Sequence, residues 1–432
     1  MLETYERGYT IPTLGESDSD AINNAIAEAV ALGLNKTVIP RYNKRTETCE
    51  WVLNDSVVVP AHFTLVLDNA CVTCTEKGAI LAMGEEQCPL ENLHIYGTGN
   101  AVLADDGAFG ALLRLTFVKN ARVHGLRLQN RFARGIFCLG LTDSTISDIT
   151  FSCPLPQNLS VPPEEQRRSA GGIVLSAGCS SVLLERIFGT TCGHTIEISA
   201  FSSETENDTT RDITVRDVHS DCFYFSNVHL VNAEGHMLQN IYIDGVTDTS
   251  KEGSPYHAQS AVSIGESHFG RTPSALGEIR NLTVKNITSR GFAAVNLVHS
   301  VQDITIADIT LREDGGCGLS CDRFLEYNNI YLCNVKFDDR FAAPYPIALV
   351  RKTAYVQPPV MTDKHVYPYR AVCNMRDIHG GNFKINGIYA NVLDNLLRIT
   401  GKNRIEMYDV DVPNIIYDDI VGDDCTINEE EA

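Results

Sequence analysis

Residues 301–312 read VQDITIADITLR. A polar lead-in gives way to an alternating run, with Ile304 and Ile306 on one face and Thr305 on the other; Asp308 interrupts it and Ile309 and Leu311 resume it. Alternation with a period of two marks a strand buried on one face. The same pattern recurs as KNARVHGLRLQN (119–130), TDSTISDITFSC (142–153), CSSVLLERIFGT (179–190) and TRDITVRDVHSD (210–221). It returns as LQNIYIDGVTDT (238–249), IRNLTVKNITSR (279–290) and YNNIYLCNVKFD (327–338), with a later echo in KNRIEMYDVDVP (402–413). Successive starts at 119, 142, 179, 210, 238, 279, 301 and 327 are separated by steps of 23, 37, 31, 28, 41, 22 and 26 residues. The short steps give the basic period, and the long ones mark loops inserted into a coil.

A coil of that length has no room for a strand–helix unit throughout, and the segments between strands lack a 3.6-residue period. Three short strands per turn fit, each stacked in parallel on the next coil about 4.8 Å away. Inward Ile, Val and Leu then form ladders, and Asn, Asp and Thr occupy the bends, where their side chains bond local backbone. The expected fold is all-β, a right-handed parallel β-helix; the hand follows from the rule for parallel crossovers. A stacked coil leaves raw edges at its ends. Residues 17–33, SDSDAINNAIAEAVALG, supply a cap: Ser/Asp at the start, then Ala21, Ile22, Ala25, Ile26, Ala29 and Val30 along one side of an amphipathic helix. Residues 340–401, with prolines at 344, 346, 358, 359 and 368, read as loop-rich late coils, and 423–432 as an acidic tail. One domain over 1–432 is expected.

The formal net charge of -20 argues against a nucleic-acid or anionic-membrane partner, which would require a basic patch. The opening MLETYERGYTIPTLGESD has no basic segment followed by an apolar one, and no apolar run approaches a bilayer span, so a soluble cytoplasmic protein is predicted. The 14 cysteines are scattered, many at apolar strand positions, which suits free buried thiols better than a disulfide framework. Cys71 and Cys74 have metal-like spacing, but there is no matching second pair and ACVTC reads as a strand.

GESDSDAINNAIAEA (15–29) resembles the opening helix of pectate-lyase-like β-helix proteins, and the coils over residues 10–340 resemble those of polygalacturonases, the family 28 glycoside hydrolases. The resemblance implies the fold and a sugar-binding sheet. In that family four motifs, N-T-D, D-D, G-H-G and R-I-K, stand on consecutive strands of one sheet. Alignment on GIVLS (172–176), TIEIS (195–199), NVHLV (227–231) and AVSIG (261–265) puts Gly171 at the first aspartate and Gly193 and His194 at the aspartate pair. Ser226 falls at the histidine, and Ser263 and Gly265 at the arginine and lysine. All four motifs are missing, so the family's galacturonan-cleaving machinery does not carry over.

Stacking places Phe137, Val174, Glu197, His229, Ser263 and Asn296 in one outward row, with Glu197 and His229 roughly 5 Å apart at the backbone. His194 stands at the strand entrance. Nearby loops add Glu234 and His236, then Tyr256 and His257, then Glu266, His268 and Arg271. Glycoside hydrolysis needs two carboxyl groups, roughly 5 Å apart when configuration is retained and 6.5–9.5 Å when it is inverted. Glu197 with Glu266 or Glu234 supplies such a pair, and His194 and His229 serve as proton carriers or sugar ligands. His236, Tyr256, His257, His268, Arg271 and Asn296 are the candidate substrate-binding residues. An outward Glu or His is equally ordinary as a solvated surface residue. No cofactor and no metal are expected, because sequence does not constrain the spacing of Cys192, His194 and His229 across strands.

The leading expectation is a glycoside hydrolase acting on an oligosaccharide or polysaccharide fragment, with a dimeric or trimeric assembly left open. A lyase, epimerase or fructan-dianhydride enzyme on the same fold is an alternative, weakened by the lack of a lysine on the sheet. A non-catalytic carbohydrate-binding or structural β-helix is another.

Overall fold

Each coil of the repeat bends at residues held in the left-handed backbone region. In a computed structural model the first bend falls at Asn120, Asp143, Ser181, Asp212, Asn240, Asn281 and Asp303, with φ between 49 and 56°. The second falls at Asp148, Arg186, Asp217, Asn286, Asp308 and Asn334, with φ between 52 and 57°. Asn and Asp tolerate this region because a short polar side chain compensates for the crowded Cβ. These are the breaks that interrupt the alternation, so a run reading as two short apolar stretches folds as one bent strand. At the corresponding break in 119–130 stands Gly125, φ 69°, where an added Cβ would lie 2.6 Å from the Gly97 carbonyl oxygen.

The structure describes residues 6–108, 110–130, 133–153, 171–222, 226–250, 260–265, 274–291, 293–312, 317–321 and 327–337. Beyond these it describes the strands Ala371–Met375, Asn382–Tyr389, Leu396–Ile399, Arg404–Asp411, Asn414–Ile416 and Thr426–Glu430. The chain divides into two compact units, residues 1–196 and 197–432. The expectations of a loop-rich 340–401 and a tail from 423 fall largely outside the described residues, apart from the three strands within 371–399 and Thr426–Glu430.

The protein is an all-β right-handed parallel β-helix with an N-terminal helix. In the first unit Ile95 pairs with Val123, Val123 with Ile146 and Ile146 with Leu184, one apolar ladder of parallel strands. In the second unit Ile213, Ile241, Leu282, Ile304 and Ile330 stack in the same way, as do Val215, Ile243, Val284, Ile306 and Leu332. All ten are at most 2% exposed, and each contributes about 1.5–3 kcal/mol of burial. Polar ladders mark the bends: Asn240 donates to Asp212 at 2.9 Å and Asn281 to Asn240 at 3.2 Å.

The cap is the helix Asp18–Ala31. Ser17 accepts from the Asp20 amide while the Asp20 carboxylate accepts from the Ser17 amide, each at 3.1 Å, a reciprocal capping box. Ala21, Ile22, Ala25, Ile26 and Ala29 are buried as expected; Val30 is 54% exposed, because it lies past the edge of that stripe. Asp18 is buried and accepts from Arg45 Nε and Asn43 Nδ2 at 2.8 Å each and from the Val52 amide at 2.7 Å, tying the helix start to the neighbouring loop. Cys71–Cys74 is a strand, as read, with Cys74 buried. Among the described residues no helix is long and apolar enough to cross a membrane.

Candidate functional site

The outward row is present where pairing is described. Phe137 pairs with Val174 in the first unit. In the second, His229 of Ser226–Val231 pairs with Ser263 of Ser260–Ile264, and Ser263 with Asn296 of Ala293–Leu297. Glu197 takes the outward position of Ile196–Ser199, between Ile196 and Ile198, both fully buried.

In the second unit the structure brings two of the five predicted catalytic residues together: ligand atoms of Glu197 and His229 lie within 4.8 Å of each other. His194 and Glu197 are half-buried. His229 is only 2% exposed, and this departs from the picture of an outward face open to water. Ser263 beside it is 8% exposed. The face is therefore sheltered at these two positions, and a polar group there must be satisfied by protein.

His229 is held by a specific contact. Its Nε2 lies 3.2 Å from the Gly265 carbonyl oxygen. A carbonyl only accepts, so Nε2 carries the proton and the ring lone pair resides on Nδ1. Burial, opposed by that hydrogen bond and reinforced by His299, lowers the imidazole pKa to about 4, so the ring is neutral near pH 7. Gly265 can deliver its carbonyl because it has no side chain. Its φ is 93°, and an added Cβ would meet His299 Cδ2 at 2.3 Å. His299 is itself buried, with Nδ1 3.1 Å from Ser274 Oγ and accepting from the Ser274 amide at 3.3 Å.

The remaining predicted residues divide three ways. Asn296, half-buried, continues the row and pairs onward with Ser320. Glu234 is exposed on a turn, and half-buried His236 packs edge-on against Phe201, ring centroids 5.9 Å apart. Glu266, Tyr256, His257, His268 and Arg271 lie outside the described residues. Gly265 and His299 were missed by sequence reasoning. For His299 the signal was its position two residues past a strand carrying Asn296 in the row; for Gly265 it was a glycine ending AVSIG.

No family model and no curated protein matches the sequence. Among solved structures the chain is similar to a mutant tailspike protein of E. coli bacteriophage HK620 in complex with a pentasaccharide. That match has 11% identity and a TM-score of 0.63, covering 99% of this chain and 82% of that one. The hexasaccharide complex of another mutant of this tailspike matches at 11% identity and a TM-score of 0.56, covering 99% and 81%. The surface adhesin PfbA of Streptococcus pneumoniae matches at 11% identity and a TM-score of 0.52, covering 95% and 90%. The likeness is one of fold.

Proposed function

We propose that the protein is a carbohydrate-active enzyme, a glycoside hydrolase that acts on an oligosaccharide or polysaccharide fragment at the face bearing Glu197. The observation that carries this reading is the approach of the Glu197 carboxylate to the His229 ring, with ligand atoms within 4.8 Å, on one strand row of a parallel β-helix. A tailspike of the same fold holds a penta- or hexasaccharide, which supports a sugar chain as the ligand class. Hydrolysis asks for a second carboxylate some 6.5–9.5 Å away if the enzyme inverts, and Glu266 or Glu234 is the proposed partner. Asn296, with Tyr256, His257, His268 and Arg271 from the neighbouring loops, would bind hydroxyl groups or a sugar carboxylate.

The test is turnover of a panel of neutral and acidic oligosaccharides, read as new reducing ends, by the unaltered chain and by Glu197→Gln. Loss of one proton-transferring group costs about 10²–10⁴-fold in rate. Undiminished turnover by Glu197→Gln would remove Glu197 from the reaction. Sugar binding without turnover by the unaltered chain would make the protein a binding module, and an unsaturated product would make it a lyase.

A further inference from the structure

We propose that His94 and His124, on the outer face of the first unit, form a binding site for a Cu(II) ion. Leu90–Thr98 and Val118–His124 are adjacent parallel strands, with His94 paired to Arg122 and Tyr96 to His124. Leu93, Ile95 and Val123, which alternate with these residues, are at most 1% exposed, so both imidazoles stand on the outer side of the sheet. They are diagonal neighbours there, and their Nε2 atoms lie 2.9 Å apart.

The pair is arranged before any ion arrives. The Tyr96 ring stacks on His124 with centroids 5.1 Å apart and 3° between planes, and it lies 4.5 Å from the His94 ring. All three side chains are half-buried. Rings already held on strands lose little freedom when an ion joins them, the advantage of a preorganised chelate. Among the described residues, the only hydrogen bond either ring makes is the one to the other ring. That bond needs one Nε2 to donate and the other to accept. Moving the donated proton to Nδ1 of its own ring leaves two lone pairs side by side, with no proton gained or lost.

The separation selects the coordination geometry. Nitrogens bonded at about 2.0 Å to one ion stand roughly 2.8 Å apart at a right angle and roughly 3.3 Å apart at the tetrahedral angle. The observed 2.9 Å matches the right angle of tetragonal Cu(II) or Ni(II) better than the wider angle of Zn(II). The imidazole centroids are 5.1 Å apart, so the rings meet nearly end to end, and each turns to aim its lone pair at an ion beside the line joining them.

Charge narrows the choice further. Lys36 and Arg122 stand near His94, while Asp148, already paired with Arg186, stands near His124. Ca(II) and Mg(II), held mainly by charge and by oxygen ligands, gain nothing in that setting. Only strong coordinate bonds to imidazole offset the repulsion, and Cu(II) forms the strongest of the divalent first-row series. Among the described residues no third His, Cys, Asp or Glu joins the pair, so water completes the coordination. Copper binding here does not rest on the sugar-cleaving reading, whose Glu197 and His229 belong to the second unit.

The experiment uses the full chain without an affinity tag, stripped with a chelator and titrated calorimetrically with Cu(II), Ni(II), Zn(II), Ca(II) and Mg(II). The expected result is a first equivalent bound most tightly as Cu(II), more weakly as Ni(II) or Zn(II), and no uptake of Ca(II) or Mg(II). The chain has 12 histidines, so the place of binding decides between this site and stray copper. Paramagnetic broadening by Cu(II) should remove the ring resonances of His94, His124 and Tyr96 before those of any other histidine. His94→Asn and His124→Asn should each lose the first equivalent while retaining the unaltered far-ultraviolet circular dichroism. If either variant misfolds, the broadening pattern of the unaltered chain still decides. Broadening centred on other histidines, a first equivalent that survives either substitution, or uptake of Ca(II) equal to that of Cu(II) would mean an adventitious ion only and overturn the proposal.

Discussion

Gly265→Ala is the perturbation that most directly examines how the site is held. The residue sits at φ 93°, where a side chain costs about 1–3 kcal/mol in backbone strain alone. The new Cβ would also lie 2.3, 2.5 and 2.8 Å from Cδ2, Cγ and Cβ of His299, and a buried ring bonded to Ser274 has little room to yield. Overpacking of that kind adds about 1–3 kcal/mol, so the sum is about 2–6 kcal/mol. At about 1.4 kcal/mol per factor of ten, the unfolding constant should rise at least 10-fold, read as a lower urea midpoint at unchanged slope. Relief of the clash moves the carbonyl away from His229, and the imidazole then loses its fixed tautomer. The His229 ring resonances, followed by nitrogen-15 NMR, should change from one protonated Nε2 to a mixture. A Gly265→Ala chain with the unaltered midpoint and the unaltered His229 tautomer would refute the whole account of this support.

Asp18→Ala leaves Arg45 and Asn43 without their buried acceptor and frees the Val52 amide. Denaturant unfolding of the first unit should show a loss of about 3–5 kcal/mol, and a change below about 1 kcal/mol would contradict the role given to Asp18. Cys153 and Cys192, both buried with their sulfur atoms 3.1 Å apart, should form a cross-link when the chain is treated with oxidised glutathione, which is reduced to two thiols. Closing a loop of that span should stabilise the chain by about 4 kcal/mol, and mass spectrometry finding both thiols intact would count against the pairing. His94 is held below the ordinary imidazole range, first by burial and then by His124, Arg122 and Lys36. Because the fold favours its neutral form, the first unit should be stable above about pH 6.5 and lose stability as pH falls from there through the lowered folded value. His94→Asn should flatten that slope, and an unchanged slope would assign it to other groups.

The coil was legible because its two bends carry a chemical signature. VQDITIADITLR announces both: Asp303 and Asp308 each take φ 56°, and the isoleucines between and after them enter the core. Four repeats carry Asn or Asp at both bends, Asp143/Asp148, Asp212/Asp217, Asn281/Asn286 and Asp303/Asp308, which fixes period and register together, since slipping a strand by one residue would turn its isoleucines outward. Val30 escaped the reading because propensity and spacing do not define where a helix stripe ends against a sheet. The Asp18 network escaped it because its partners Arg45, Asn43 and Val52 are 25–34 residues away with no periodic pattern.

The site was legible only as a row. Strand alternation assigns Glu197 and His229 to outward positions, and stacking makes them neighbours, which the structure bears out. Alternation says nothing about shelter, however, so outward was equated with wet, and His229 at 2% exposure shows the limit of that step. Shelter changes the chemistry more than proximity does. On a wet surface His229 would titrate near its ordinary value and exchange partners with water. Out of solvent, burial keeps the ring neutral and one carbonyl sets which nitrogen holds the proton, and that carbonyl exists in position only because residue 265 is glycine. A solenoid that lacks every motif of the family it resembles can therefore still bring a carboxylate and an imidazole together. The coil supplies the neighbours, and one side-chain-free residue at the end of the next strand determines which nitrogen of His229 carries the proton.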